Sequence, residues 1–322
     1  MHERNAILEW AEQGRVAPGK LREALDAARA LPTAGDWHRF LDRLLLWGAS
    51  ALLSAALIFF LAYNWSELGR WTRFGIAELA FAGALFGAWR LGLERTAGKA
   101  ALFGAALVVG AMLALVGQTY QTGADPWELF AVWGALVLPF AFAGRLPALW
   151  LLVLLLANLA TVLYFQAFRG MFSVVFGPQR QLWLLFGLNT LALAAWEVLA
   201  AAGVAWLRAR WAIRLVAIAS GGLITTLAVW DIVDRKLADG GFLAWLAWCG
   251  VAYAVYRSRR KDLFVLAGGA LSVIVVVTAA MGRWMLTGRF EAGMFLLIGM
   301  TVIGMSALAG WWLRQVAMEE GE

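Results

Sequence analysis

The sequence predicts an all-α fold, a polytopic helical membrane protein with a small helical hairpin at its amino terminus. Three observations predict it. Apolar residues make up 62% of the chain and the mean hydropathy is +0.73, whereas soluble domains are roughly half apolar. Asp, Glu, Lys and Arg are absent from 44–66, 100–124, 146–168, 263–282 and 292–313, and about 20 apolar residues cross a hydrocarbon core as a helix. Many of the 19 Trp residues, among them Trp47, Trp65, Trp71, Trp127, Trp206, Trp211, Trp230, Trp284 and Trp311, fall at the ends of apolar runs. That is the aromatic belt of a membrane interface.

Residues 1–41 come first. NAILEWAEQGRVAPGKLREALDAARALP reads as two short helices with a turn at Gly14 and Pro18 in the first turn of the second. Ile7, Leu8 and Ala11 form an apolar stripe on one helix, and Leu21, Ala24, Leu25 and Ala28 on the other. Such a hairpin is too small to bury a core alone. It is expected to dock on the membrane part, a cytoplasmic partner or a second copy, either as a packing element or as a regulatory one.

Residues 42–322 form the bundle, with ten spans expected at 44–63, 72–91, 100–117, 127–144, 147–166, 181–206, 211–230, 241–257, 262–281 and 291–313. The shorter runs among them span if flanking Arg side chains snorkel to the interface. Two spans contain an acid, Glu78 in the second and Glu197 in the sixth. No cleavable signal peptide is visible, so the first span is expected to act as the insertion signal. Cys249 is the single cysteine, and His2 and His38 are the two histidines. No intramolecular disulfide, metal centre or cofactor is expected.

With ten spans both termini share one side. That side carries 19 of the 27 Lys and Arg residues, including Arg208, Arg210 and Arg214 and the RSRRKD run at 257–262. The positive-inside rule places it in the cytoplasm of a bacterial inner membrane. The net charge of +6 then needs no nucleic acid. RSRRKD reads as a topology determinant or as a lipid-headgroup site, the first being simpler.

The span ending FLAYNWSELGRWTRF (60–74) and the later stretch GQTYQTGADPWELFAVWGALVLP (117–139), behind a helical hairpin, resemble bacterial membrane proteins of the domain of unknown function (DUF) 2157 family. The resemblance covers roughly residues 5–145. It implies an integral membrane protein and carries over no activity and no catalytic residue.

Candidate sites follow from polar residues in apolar surroundings. In DPWE, Asp125 suits an N-cap, Pro126 the first helical position and Glu128 the third, and NWSE places Asn64 and Glu67 at the same spacing. These four read as helix caps or as an outer-face ligand site. In GQTYQTGA, Gln118 and Tyr120 lie between glycines, and the stretch either lines a cavity or forms an ordinary outer turn. Glu197 lies inside the sixth span on one face with Asn189 and Thr190. It is either a proton- or substrate-coupling acid or the acceptor of an interhelical bond from Asn158, Thr225 or Thr226. Glu78, nearer a span end, is expected to pair with Arg73.

No phosphate loop, nucleophile elbow or His-Glu metal pattern occurs. The function expected is transporter-like or lipid-handling, with an outward-facing polar cavity and with membrane lipids and a small-molecule or lipid substrate as partners. The rival is a non-transporting scaffold or regulator acting through the hairpin, with a protein partner or as a homo-oligomer. A third reading makes Glu67, Asp125 and Glu128 the acid/base groups of an outer-face enzyme. Two sets of five spans would suit an inverted-repeat transporter, but no sequence repeat supports one.

Overall fold

The computed structural model describes residues 2–28, 30–64, 66–168, 177–234, 240–285 and 292–319. Every regular element among the described residues is helical. The chain divides into two units, Met1–Val108 and Val109–Glu320.

In the first unit, α1 (His2–Glu12) and α2 (Leu21–Ala27) form the expected hairpin. Gly14 turns the chain at φ +72°, and Ile7 and Leu25 are buried. The next helix, α3 (Ala34–Tyr63), starts ahead of the expected span because Thr33 caps it. The Thr33 hydroxyl accepts from the Asp36 N–H at 3.3 Å while the Asp36 carboxylate accepts from the Thr33 N–H at 2.9 Å. The unit continues through α4 (Arg70–Leu91) into α5 (Thr96–Tyr120). Ser50 Oγ donates to Ala100 O at 2.7 Å, and a Cβ on Gly104 would stand 3.0 Å from that hydroxyl. Close approach of α3 and α5 therefore depends on small residues, as is common between membrane helices.

The second unit takes in the end of α5, then α6 (Pro126–Gly144), α7 (Pro147–Phe168), α8 (Pro178–Ala201), α9 (Arg210–Asp234), α10 (Gly241–Ala254), α11 (Leu263–Met285) and α12 (Ala292–Met318). Helix α9 is its axis. Ala212, Ile213, Val216, Ala217, Ser220, Ile224, Leu227, Ala228 and Asp231 are all buried, a spacing of three and four that turns one stripe to its neighbours. Around the start of α9, Trp196, Leu207, Tyr256, Val265 and Val316 close one core. Around its end, Leu227, Trp245 and Val276 close a second.

Nine of these helices are long and apolar enough to cross a membrane among the described residues. The expected span 241–257 falls on α10, which is shorter and continues through a π turn at Val255–Arg259. Leu52, Phe59, Leu191 and Ile303 are each at least 70% exposed, as suits a surface that meets lipid instead of water. The molecule is a multi-pass helical membrane protein.

Candidate functional site

The sixth expected span, 181–206, stops short as a helix. Gly203 takes φ +99°, a conformation that favours glycine, and α8 ends at Ala201. A 3-10 turn at Ala205–Arg208 then leads into α9. Glu197 thus lies about one turn from the end of α8, and the start of α9 returns Arg210 beside it. Its Oε1 accepts from Arg210 Nη1 at 3.2 Å and from the Tyr256 hydroxyl at 3.0 Å, and its Oε2 accepts from Arg260 Nη1 at 2.9 Å.

Arg210 is the link in a larger cluster. Its Nε and Nη2 donate to Asp262 Oδ2 at 2.9 and 2.6 Å. Arg214 Nε donates to both Asp262 oxygens at 3.2 Å, and the Phe264 N–H reaches Oδ1 at 3.1 Å. Charge-assisted contacts of this kind are among the stronger hydrogen bonds of a protein. Asp262 precedes α11 and its side chain is only 1% exposed. Burial pushes its carboxyl up, but hydrogen bonds from Arg214 and Arg210 outweigh this and hold it below the usual carboxylate value. Three guanidiniums meet two carboxylates, so the cluster carries one excess positive charge. The unit is basic at this end, where Lys261 also donates to Glu319 O and Arg257 pairs with the Glu319 carboxylate.

Farther along α8, the other candidate residues make separate interhelical bonds. Asn189 Nδ2 donates to Asn158 Oδ1 at 2.6 Å and to Leu185 O at 2.8 Å, and Asn158 Nδ2 returns to Asn189 Oδ1 at 3.3 Å. Thr190 and Ser220 hydroxyls lie 2.7 Å apart, and Trp248 Nε1 donates to Ser220 at 3.0 Å. A matching set joins Thr225, Ser272 and Trp245 at 2.6 and 2.7 Å. Glu197 therefore bonds to Arg210, Arg260 and Tyr256, while Asn158 bonds to Asn189 and Thr225 to Ser272. Thr226 donates to Gly222 O within its own helix. At the opposite end of α9, fully buried Asp231 accepts from the Phe242 N–H at 3.0 Å and from Gln179 Nε2 at 3.3 Å.

The signature stretches form turns and helix ends. Gly117, Gln118, Thr119 and Tyr120 are the last turn of α5. Gln121 at φ +45° and Gly123 at φ +66° reverse the chain, and residues 121–126 are exposed. Asp125 occupies the N-cap of α6 with Pro126 after it, but makes no side-chain cap bond; its carbonyl accepts from the Glu128 N–H at 3.0 Å. Asn64 caps α3 at its carboxyl end instead of starting the next helix, its amide donating to Phe60 O at 2.9 Å. Glu67 follows in the turn and belongs to the first unit, Asp125 and Glu128 to the second. Glu78 is exposed on α4, and Arg73 Nε donates to Leu68 O.

Tyr256 and Asp231 are not among the candidate residues of the sequence, and Arg210, Arg260 and Asp262 enter only through the basic side and the RSRRKD run, not as a cluster. A local signal existed for one: an acid directly before LFVLAGG marks a helix start.

Three hollows are walled mainly by apolar side chains. One of about 650 Å³ in the first unit is walled by α3, α4 and α5, with Leu53, Leu57, Phe60, Ala84 and Ala101 on it. One of about 390 Å³ has Leu151, Leu155, Leu215 and Leu223 around the Asn158–Asn189 pair. A third, of about 280 Å³, is a groove between α9 and α11.

No curated protein and no solved structure matches the chain. Residues 8–150, which hold both signature stretches, match the family described as "Predicted membrane protein (DUF2157)".

Proposed function

We propose that the protein handles lipid in the bacterial inner membrane, with both termini and the basic end of the second unit in the cytoplasm. One observation carries this reading: the candidate polar side chains Glu197, Asn158, Asn189 and Thr190 are engaged and the hollows are mainly apolar. Glu197, Asn158, Asn189 and Thr190, the side chains that would serve an ion or polar solute, are held by other side chains at 3.3 Å or less. A polar substrate needs free donors and acceptors along its path, whereas an acyl chain needs width and apolar walls. The surplus of Lys and Arg on one side supports the orientation.

Lipidomics of a deletion strain, with complementation by wild type and by Glu197→Gln, tests the reading. A shifted lipid profile that both chains restore is the expected result. An unchanged profile overturns lipid handling. A shift that wild type alone corrects, together with proton uptake in proteoliposomes that Glu197→Gln abolishes, returns Glu197 to the role of coupling acid. The scaffold reading keeps support from Trp10, which is 48% exposed on the hairpin. It takes precedence if removing the hairpin alone reproduces the deletion phenotype while lipid binding persists.

A further inference from the structure

The groove between α9 and α11 begins at the ion cluster. On α9 it runs from Arg214 past Ala217, Gly221 and Gly222 to Thr225, and on α11 from Phe264 past Gly268. At a rise of about 1.5 Å per residue, the α9 wall is about 16 Å long. That is about half of a hydrocarbon core of about 30 Å, the depth of one leaflet. Missing side chains open it: a Cβ at Gly222 or at Gly268 would meet nothing within 4 Å.

Arg214 lines the groove at the charged end. Its Nε is taken by Asp262, its side chain is 42% exposed, and among the described residues its Nη1 and Nη2 make no hydrogen bond. Those two groups can still bind an oxyanion in the fork geometry that suits phosphate. The excess positive charge of the cluster favours a ligand with net negative charge over a zwitterion with the same phosphate.

We infer that this groove is a binding site for an anionic phospholipid of the leaflet at the basic end. One acyl chain lies between α9 and α11, and the headgroup phosphate sits on Arg214. The inference rests on the lipid-handling reading and names its ligand class and its site.

The test is a native mass spectrometry titration of the delipidated full-length protein with phosphatidylglycerol and phosphatidylcholine of matched chains. Wild type is expected to bind phosphatidylglycerol about tenfold more tightly, the equivalent of one charge-assisted contact. Arg214→Gln should remove that preference, weakening phosphatidylglycerol more than phosphatidylcholine. Because Arg214 also holds Asp262, Gly268→Leu serves as the second variant; it fills the groove away from the ion cluster and should weaken both lipids. Equal binding of the two lipids by wild type, with Gly268→Leu weakening both, overturns the charge selectivity and leaves lipid handling intact. A preference that survives Arg214→Gln overturns the placement of the headgroup. Unaltered binding of both lipids by Gly268→Leu overturns the groove as the site, whereas lipid handling itself is overturned only by an unchanged lipid profile in the deletion strain.

Discussion

Asp262 shows how much a single side chain can decide here. It is shielded from solvent and accepts from Arg210, Arg214 and the first turn of α11. Asp262→Asn removes the charge that both arginines face, and breaking a buried pair from one side costs about 3 kcal/mol. Thermal unfolding in detergent at pH 7 should show a clearly lowered Tm; equal values for variant and wild type would falsify the clamp. The pH dependence follows from the direction of the shift. The folded carboxyl titrates below its ordinary value of 3.8, so the stabilisation is complete above that value and is lost as pH falls through the lower, folded one. The gap between wild type and Asp262→Asn should therefore persist from pH 7 to 5 and close only under strongly acid conditions. None of this pairing was legible in RSRRKD, because Arg210 stands 52 residues from Asp262 and no local pattern joins them. Glu197 was visible as an acid in an apolar run. Its depth was misjudged because hydropathy continues through 202–206, whereas Gly203, the residue that ends α8, was a readable stop.

At the scale of elements the spans were readable because a run of about 20 apolar residues is a bulk property that tertiary contacts do not rearrange. How the helices meet was not readable, since 34 glycines look alike in sequence and few of them stand at a close approach. Gly110 does: a Cβ there would lie 2.5 Å from the Trp133 ring. Gly110→Ala should force α5 from α6 and destabilise the protein by about 1–3 kcal/mol, the usual range for overpacking. Combining it with Trp133→Leu should recover part of that loss in a double-mutant cycle of melting curves; strictly additive effects would show that the ring is not the obstacle. Gly241 offers a second case. A Cβ there would stand 2.8 Å from Asp231 Oδ2 and 3.0 Å from Leu227 O, so Gly241→Ala should also stretch the Phe242–Asp231 bond that starts α10. Faster amide exchange at the start of α10 would register it, and unchanged protection would count against it. The caps divide in the same way. Pro126 announced the start of α6, but whether Asp125 would bond with its side chain or only its carbonyl depends on a rotamer that composition does not specify.

For the molecule as a whole, the arrangement of charge makes the most direct prediction. Within the second unit, the stacking of Trp150 on Trp206 puts the start of α7 at the basic end, beside the turn before α9. The packing of Trp127 on Tyr164 puts the start of α6 at the end of α7, away from it. Residues 121–125 and the RSRRKD turn therefore lie at opposite ends of the second unit. The positive-inside rule supports the proposed orientation, with the RSRRKD face cytoplasmic, because Lys and Arg are retained where the chain is not translocated. Cys249 is the single cysteine, so Cys249→Ser gives a background without thiols. Thr122→Cys and Ser258→Cys, both at exposed positions, can then be probed one at a time. A membrane-impermeant maleimide applied to intact spheroplasts should label Thr122→Cys and leave Ser258→Cys unlabelled until the cells are lysed. The reverse pattern would invert the protein and move the Arg214 groove to the outer leaflet. Labelling of both from outside would overturn this arrangement, in which α10 makes the fifth crossing after the four of α6 to α9.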